Sequence, residues 1–321
     1  MKLQMYNNRV EKNVVSNINK VDKATLSDIY HVSEYCADIQ AHMQKTEHET
    51  MPDGFYMKRQ SDINENVRAI LVDWLISVHA KFKLLPETLY ITVNLIDRYL
   101  SLYNVQKSQV QLVGVASLLI ATKYEEIYPP TVKDFIYLTD DTYTKTQILE
   151  MEKNILFSLD FDIQETSSFR FLERYSKIAK SDSVNFFLAQ YLLELALLDS
   201  KMNQYPPSLL ASTAIYVAMR VTLTDTQQRN GEQPKYVTCW TKQLQEHTKY
   251  ASADLKSCAK NYFQLANLIM KSELQAILRK FMQPKYLEVA RIMCNCITRQ
   301  NDAQQSASNN AISLPSVKNS H

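Results

Sequence analysis

Only three of the 321 residues are glycine, Gly54, Gly114 and Gly231, and no two of them are neighbours. Nothing else in the sequence bounds the fold so tightly. Loops that cradle phosphate need clustered glycines, because several N–H groups can close on one phosphate only where the backbone lacks Cβ atoms. Neither a dinucleotide fingerprint nor a P-loop can be built here. With nine prolines and 45% hydrophobic residues, the chain instead suits long helices joined by short connectors. Its length allows two ordinary domains, with no need of disulfides or metals to hold a core. The five cysteines, Cys36, Cys239, Cys258, Cys294 and Cys296, lack any C-x-x-C spacing. With a polar N-terminus, they point to a reducing compartment, nucleus and cytoplasm. Cys294-x-Cys296 reads as two ordinary helix residues, so no metal and no cofactor are expected. The longest uncharged apolar stretch, Leu112 to Ala121, is far shorter than the roughly 20 residues that cross a bilayer. A soluble protein that does not enter the membrane is expected. The net charge is +2 and no dense Lys/Arg run occurs, so protein partners are favoured over nucleic acid.

Residues 1–25 are polar and read as a disordered N-terminus. Leu26 to Met43 then place Ile29, Val32, Tyr35, Ile39 and Met43 at intervals of three or four, an amphipathic helix. With the linker punctuated by Met51-Pro52-Asp53-Gly54, this segment spans residues 26–60. From Asn66 to Phe82 the residues Val67, Ile70, Leu71, Trp74, Leu75 and Val78 keep the helical period, while Ala69, Val72 and Ile76 cover the opposite side. A helix apolar nearly all round is surrounded by others, and the Arg68 and Asp73 it carries must be paired. A helix opening at Pro86, an apolar one from Ser108 to Lys123, and two more at Thr131 to Leu138 and Thr144 to Leu159 complete a five-helix unit over residues 61–163.

Sliding the third of these helices along the chain uncovers a repeat. LVGVASLLIATK at Leu112 to Lys123 aligns with LLASTAIYVAMR at Leu209 to Arg220, 97 residues on. Gly114 falls on Ala211, Ala121 on Ala218, and a base ends both. Leu95-Ile96-Asp97 has a weaker echo in Leu197-Leu198-Asp199. Two copies of one five-helix unit follow, the second over residues 164–297 with a C-terminal helix. A helical pattern runs past Tyr262 through Leu278 and again from Tyr286 to Met293. Residues 298–321, rich in Gln, Asn and Ser, read as a disordered polar tail.

VRAILVDWL at Val67 to Leu75, LIDRYLS at Leu95 to Ser101, QLVGVASLLIATKYEEIYPP at Gln111 to Pro130 and TDDTYTKTQILEMEKNIL at Thr139 to Leu156 strongly resemble the cyclin box. The resemblance covers about residues 30–270, includes both repeats and keeps several long motifs in order. KFKLLPETLYITV and LAQYLLELALLD look most like the mitotic B type, with the A type as the alternative. It implies an all-α fold of two tandem cyclin boxes preceded by an N-terminal helix. It also implies a non-catalytic subunit that forms a heterodimer with a cyclin-dependent serine/threonine kinase, switches it on and helps recruit substrates at the G2/M transition. Such a subunit holds the kinase helix bearing the active-site glutamate inward.

By the same resemblance Lys123 and Glu152 are the polar anchors to the kinase. Taken alone, Lys123 reads as a base at a helix C-terminus, and Glu152 as an exposed residue paired with a neighbour. The family's apolar contacts map onto Tyr124, Leu156, Phe161 and Ile163, with Tyr35, Ile39 and His42 from the N-terminal helix. Arg68 and Asp97 look like the family's internal ion pair. In cyclins the VRAIL helix also forms a groove for Arg-x-Leu peptides of substrates and inhibitors, here Val67, Ile70, Leu71 and Trp74 with Gln111; core packing is the plainer reading of the same periodicity. Where some members place a glutamate that receives the peptide's arginine, this chain has Ser77, so a preference for apolar peptides is expected. The basic phosphate pocket of some B-type cyclins maps onto Glu173, Phe186 and Gln190, which predicts no such pocket. The destruction box is also altered: Arg9 is followed three residues on by Lys12 rather than Leu, and no Lys-Glu-Asn triplet occurs.

Other classes fit less well. The six histidines are scattered, without a His-Glu-x-x-His pattern, and no serine sits in a nucleophile elbow. A cyclin-fold transcription factor is expected to carry a zinc ribbon and a basic surface, and neither is visible. A helical scaffold that touches no kinase agrees with composition alone.

Overall fold

The computed structural model describes residues 20–23, 32–231 and 239–312. Among them every regular element is helical, and no helix is long and apolar enough to cross a membrane. An N-terminal helix, α1 (Cys36–Thr46), precedes a first set of five: α2 (Glu65–Phe82), α3 (Pro86–Leu102), α4 (Val110–Glu125), α5 (Val132–Leu138) and α6 (Lys145–Ser158). A second set follows as α7 (Ser168–Ala179), α8 (Ser183–Ala196), α9 (Pro207–Arg229), α10 (Lys242–Thr248) and α11 (Leu255–Met270), then α12 (Ala276–Phe281) and α13 (Val289–Ile312). The all-α pair of five-helix boxes behind an N-terminal helix is therefore present.

Local sequence starts and stops these helices. The Asn64 side chain accepts the Val67 N–H at 3.0 Å and opens α2, and Pro86 supplies the first turn of α3 without losing a needed donor. Thr131 with Asp134, and Thr144 with Gln147, form reciprocal capping boxes for α5 and α6, each cap contributing about 1 kcal/mol. Lys83 ends α2 in the left-handed conformation.

The repeat is a physical one. Helices α3 and α8 begin 97 residues apart, as do α4 and α9. Each third helix is enclosed: α4 is buried along Leu112 to Thr122, and α9 buries Ala211, Ala214 and Ala218. Helix α2 is less surrounded than its composition suggests, with Ile70 60% exposed. Its other side buries Val72 and Ile76 in the core of the second box, where Tyr90 of α3 stacks on Phe169 with ring centroids 5.9 Å apart.

Several boundaries differ from the sequence reading. The echo at Leu197-Leu198-Asp199 is corrected, since α8 ends at Ala196 and Asp199 instead caps the short turn that follows. The helical run through Leu278 breaks after Met270, where Ser272 accepts the Leu274 N–H and Asp73 accepts the Ala276 N–H to start α12. Helix α13 continues through Ile312, into the stretch read as a disordered tail. Buried Ile297 and the bonds from Arg299 to Asp225 and Asn301 to Asn267 tie its middle to the second box; residues 313–321 lie outside the described set. Of the N-terminal helix expected from Leu26, residues 26–31 lie outside it too, as does most of the expected disordered stretch 1–25. Asp22 is described, and its carboxylate is bound by Arg174 and Lys177 of α7.

Candidate partner-binding faces

The first box is organised around one ion pair. Arg68, on the first turn of α2, meets Asp97 of α3 through two hydrogen bonds, Nε to Oδ1 at 2.7 Å and Nη2 to Oδ2 at 2.6 Å, with both side chains almost fully buried. The Tyr56 hydroxyl and the Asn203 amide each donate to the same carboxylate at 2.7 Å, and Arg68 Nη1 donates to the Leu197 carbonyl at 2.8 Å. Every strong acceptor position of Asp97 is filled, which such burial demands. Residues from both boxes and from the linker contribute, so the pair also fixes the boxes relative to one another. Burial pushes the Tyr56 phenol well above its ordinary value. Asp73, the other charge on α2, is answered by the Ala276 N–H at 2.9 Å.

On the outer side of the first box, Lys123 at the end of α4 reaches Glu152 of α6, with Nζ 2.7 Å from Oε1. The lysine side chain is 47% exposed and the glutamate 12%. The two expected anchors thus hold each other across neighbouring helices and present one polar spot. Around it Tyr124 and Phe161 are exposed, while Leu156 and Ile163 are half-buried against the core. Phe161 stands on a turn in which Asp160 and Phe161 both adopt left-handed backbone, a costly arrangement for side chains with a Cβ. Its ring meets that of Phe157 edge-on at 5.3 Å. Phe157, Ile127 and Tyr128, exposed by 60%, 85% and 91%, were absent from the sequence reading. The signal was available for Ile127 and Tyr128, two large apolar residues followed by Pro129-Pro130, where no helix could bury them.

Helix α1 has two distinct faces. Gln40 is buried, its Nε2 donating to the His247 carbonyl at 2.8 Å, and Gln44 donates to the Tyr175 hydroxyl at 3.4 Å. Just beyond, Glu47 accepts from the N–H and hydroxyl of Ser208 at 2.9 Å each. This pins the helix to the second box. On the opposite side Tyr35, Ile39 and His42 form an exposed stripe at helical spacing. Ile39 shares a concavity with Arg170 of α7, whose guanidinium pairs with Glu87 at 3.0 Å and lies 4.0 Å from Glu125, next to Tyr124. The stripe and the Lys123–Glu152 face therefore border one another.

The four VRAIL-helix residues and Gln111 of α4 also converge. Val67, Ile70, Leu71 and Trp74 of α2 line an open concavity of about 380 Å³ with Gln111, and Lys107 and Val110 close its far wall. Gly114 lets α4 approach, since a Cβ there would stand 2.7 Å from Leu71 Cδ1. Ser77 donates back to the Asp73 carbonyl at 3.3 Å. In the second box the residues matching the phosphate pocket are dispersed in role. Glu173 pairs with Arg170, the Phe186 ring packs edge-on to Phe169 and Phe187, and buried Gln190 donates to Glu194. Among the described residues no group of three or more His, Cys, Asp or Glu side chains is arranged to hold a metal.

Two tandem five-helix boxes joined through a buried Arg–Asp pair, with an N-terminal helix laid across the second, define a cyclin-type helical fold. The profile of the cyclin N-terminal domain matches residues 38–164 and that of the cyclin C-terminal domain residues 166–295; the chain belongs to the cyclin family. It is 38% identical over 261 residues to the G2/mitotic-specific cyclin-B of Dictyostelium discoideum, covering 81% of this chain and 57% of that one. It is 39% identical over 264 residues to the G2/mitotic-specific cyclin-A of Hydra viridissima, covering 81% and 60%. Relatives of the B and the A type thus match at nearly the same identity, and the chain spans somewhat under two thirds of their length. Among solved structures, a viral cyclin from herpesvirus saimiri shares the fold with a TM-score of 0.60 at 20% identity, over 74% of this chain and 99% of that one.

Proposed function

We propose that this cyclin, of the mitotic B type, binds a cyclin-dependent serine/threonine kinase and activates it, acting in the nucleus and cytoplasm at the G2/M transition. The observation that carries the reading is the composite face: the Lys123–Glu152 pair, 2.7 Å apart, ringed by Tyr124, Phe157 and Phe161 and bordered by Tyr35 and Ile39. Large apolar side chains left in water around a polar centre mark a protein-binding surface. Because the boxes are locked by buried ion pairs, the face is preformed and little ordering entropy is lost on binding. A rigid ligand that fits the active shape of the kinase lowers the free energy of that shape relative to the inactive one. No chemistry is assigned to the cyclin itself; phosphoryl transfer belongs to the kinase, whose Lys–Glu pair and activation loop it orders. The second surface, the α2 groove, recruits substrates or inhibitors.

The test is reconstitution. The purified chain should confer phosphotransferase activity on a monomeric cyclin-dependent kinase, and Lys123→Ala with Glu152→Ala should abolish it while helical content and melting temperature stay close to the parent's. A folded chain that activates no such kinase would refute the reading.

A further inference from the structure

We infer that the groove between α2 and α4 selects partner segments carrying an acidic side chain beside their apolar anchors, and that Lys107 makes the selection. This rests on the reading of the concavity as a docking groove. Its walls are Val67, Ile70, Leu71, Trp74 and Val110, with Gln111 neutral; among the described residues Lys107 is the one charged side chain lining it. Lys107 is exposed, and its ammonium makes no ion pair or hydrogen bond among the described residues.

Carboxylates in the neighbourhood are directed elsewhere. Asp62 Oδ2 accepts the backbone N–H of Lys107 at 2.7 Å and so braces the turn that carries it. Asp73 Oδ1 is taken by the Ala276 N–H. Glu65 is paired with Lys201 at 2.8 Å. At position 77 a hydroxyl stands, turned back to its own helix. An arginine entering this groove finds no lining carboxylate and meets a like charge; an aspartate or glutamate finds an unspent cation at the edge of an apolar floor.

The occupant is a partner segment rather than a second copy of this chain. An isologous contact through this face would bring Lys107 toward its own symmetry mate. A concavity of about 380 Å³ takes a few side chains, whereas a stable dimer buries on the order of 800 Å² per partner.

Fluorescence anisotropy with the full chain tests this. Three labelled decapeptides share two apolar anchors and differ only in a flanking Glu, Arg or Ala. The Glu peptide should bind about two- to fivefold tighter than the Ala peptide, the range of one exposed ion pair, with the Arg peptide weakest. The spread should shrink in high salt. Lys107→Glu should reverse the order of Glu and Arg, and Trp74→Ala should weaken all three. An Arg peptide that binds as well as the Glu peptide, or an order that Lys107→Glu does not alter, would overturn the charge selection and leave the groove standing. No binding by any peptide, or binding indifferent to Trp74→Ala, would remove the docking groove itself, whether or not the kinase is activated. Sedimentation revealing a dimer that Trp74→Ala dissolves would overturn the choice of occupant.

Discussion

Asp97 and Glu194 occupy the same place in their two boxes: each is the twelfth residue of the second helix, 97 positions apart, and each carries a buried carboxylate. Their partners come from different parts of the chain. Asp97 is bound by Arg68 of its own box. Glu194 is bound by Lys280 of α12, whose Nζ lies 2.7 Å from both of its oxygens. The second box therefore completes its charge balance only with an element added beyond its five helices, and α12, through the Asp73 cap, is fastened to the first box as well.

Removing one member of either pair should strand a buried charge. Asp97→Ala and Lys280→Ala are each expected to lower stability by about 3–5 kcal/mol, read by urea unfolding. Replacing Lys280 by Met together with Glu194 by Leu should recover most of the loss, because the desolvation penalty disappears along with the attraction. A melting temperature unmoved by Asp97→Ala would refute the role given to that pair.

Glu165 should make stability depend on pH. It borders a small cavity between the boxes, of about 60 Å³, in which its Oε2, Asn94 Oδ1 and the Tyr90 hydroxyl are buried without partners. Burial first, and the Asp97 carboxylate second, push its pKa up to about 8, against a smaller opposing effect of Arg98. Between the ordinary value of 4.5 and about 8, the folded chain keeps a proton that the unfolded chain has lost, so stability falls as pH rises. Glu165→Gln should match the parent near pH 4 and exceed it at pH 8 by on the order of 4 kcal/mol. Urea titrations at the two pH values, taken as the difference between variant and parent, separate this from His79, whose pKa is lowered by burial to about 4 and whose contribution has the opposite slope, lost as pH falls from 6.5.

Neighbouring residues of α1 should give opposite phenotypes. Ile39→Ala removes an apolar contact that faces water, 47% exposed, so the melting temperature should hold while more cyclin is needed to half-activate the kinase. Gln40→Ala removes the bonds to the His247 carbonyl and from Arg174. It should cost about 1 kcal/mol of stability. Equal effects of both on the melting temperature would contradict the two-faced helix.

Gly114→Ala places a methyl 2.7 Å from Leu71 Cδ1. Alanine's helix propensity favours the change by about 1 kcal/mol, while overpacking costs about 1–3 kcal/mol. A small net loss is expected by thermal unfolding, and Leu71→Ala in the same chain should relieve the clash. Because Leu71 also lines the groove, peptide affinity should change with it.

Much of this protein is set by local pattern. The scarcity of glycine, the 3.6-residue apolar period and the residues Asn64, Pro86, Thr131 and Thr144 specify which segments are helices and where they start, since propensity and capping act within a few residues. The 97-residue repeat specifies that the unit occurs twice, and the paired charge of Arg68 follows from the cost of burying it alone. What the sequence could not assign is which partner answers which group at long range. The near-uniform apolarity of α2 does not say that Ile70 faces a groove while Ile76 enters the other box's core. Nor does any spacing join Glu194 to Lys280, leave Lys107 unpaired at the groove, or set Phe157 beside Phe161 in water. Those relations arise only when helices far apart in sequence pack together, because burial and ion pairing depend on which faces meet.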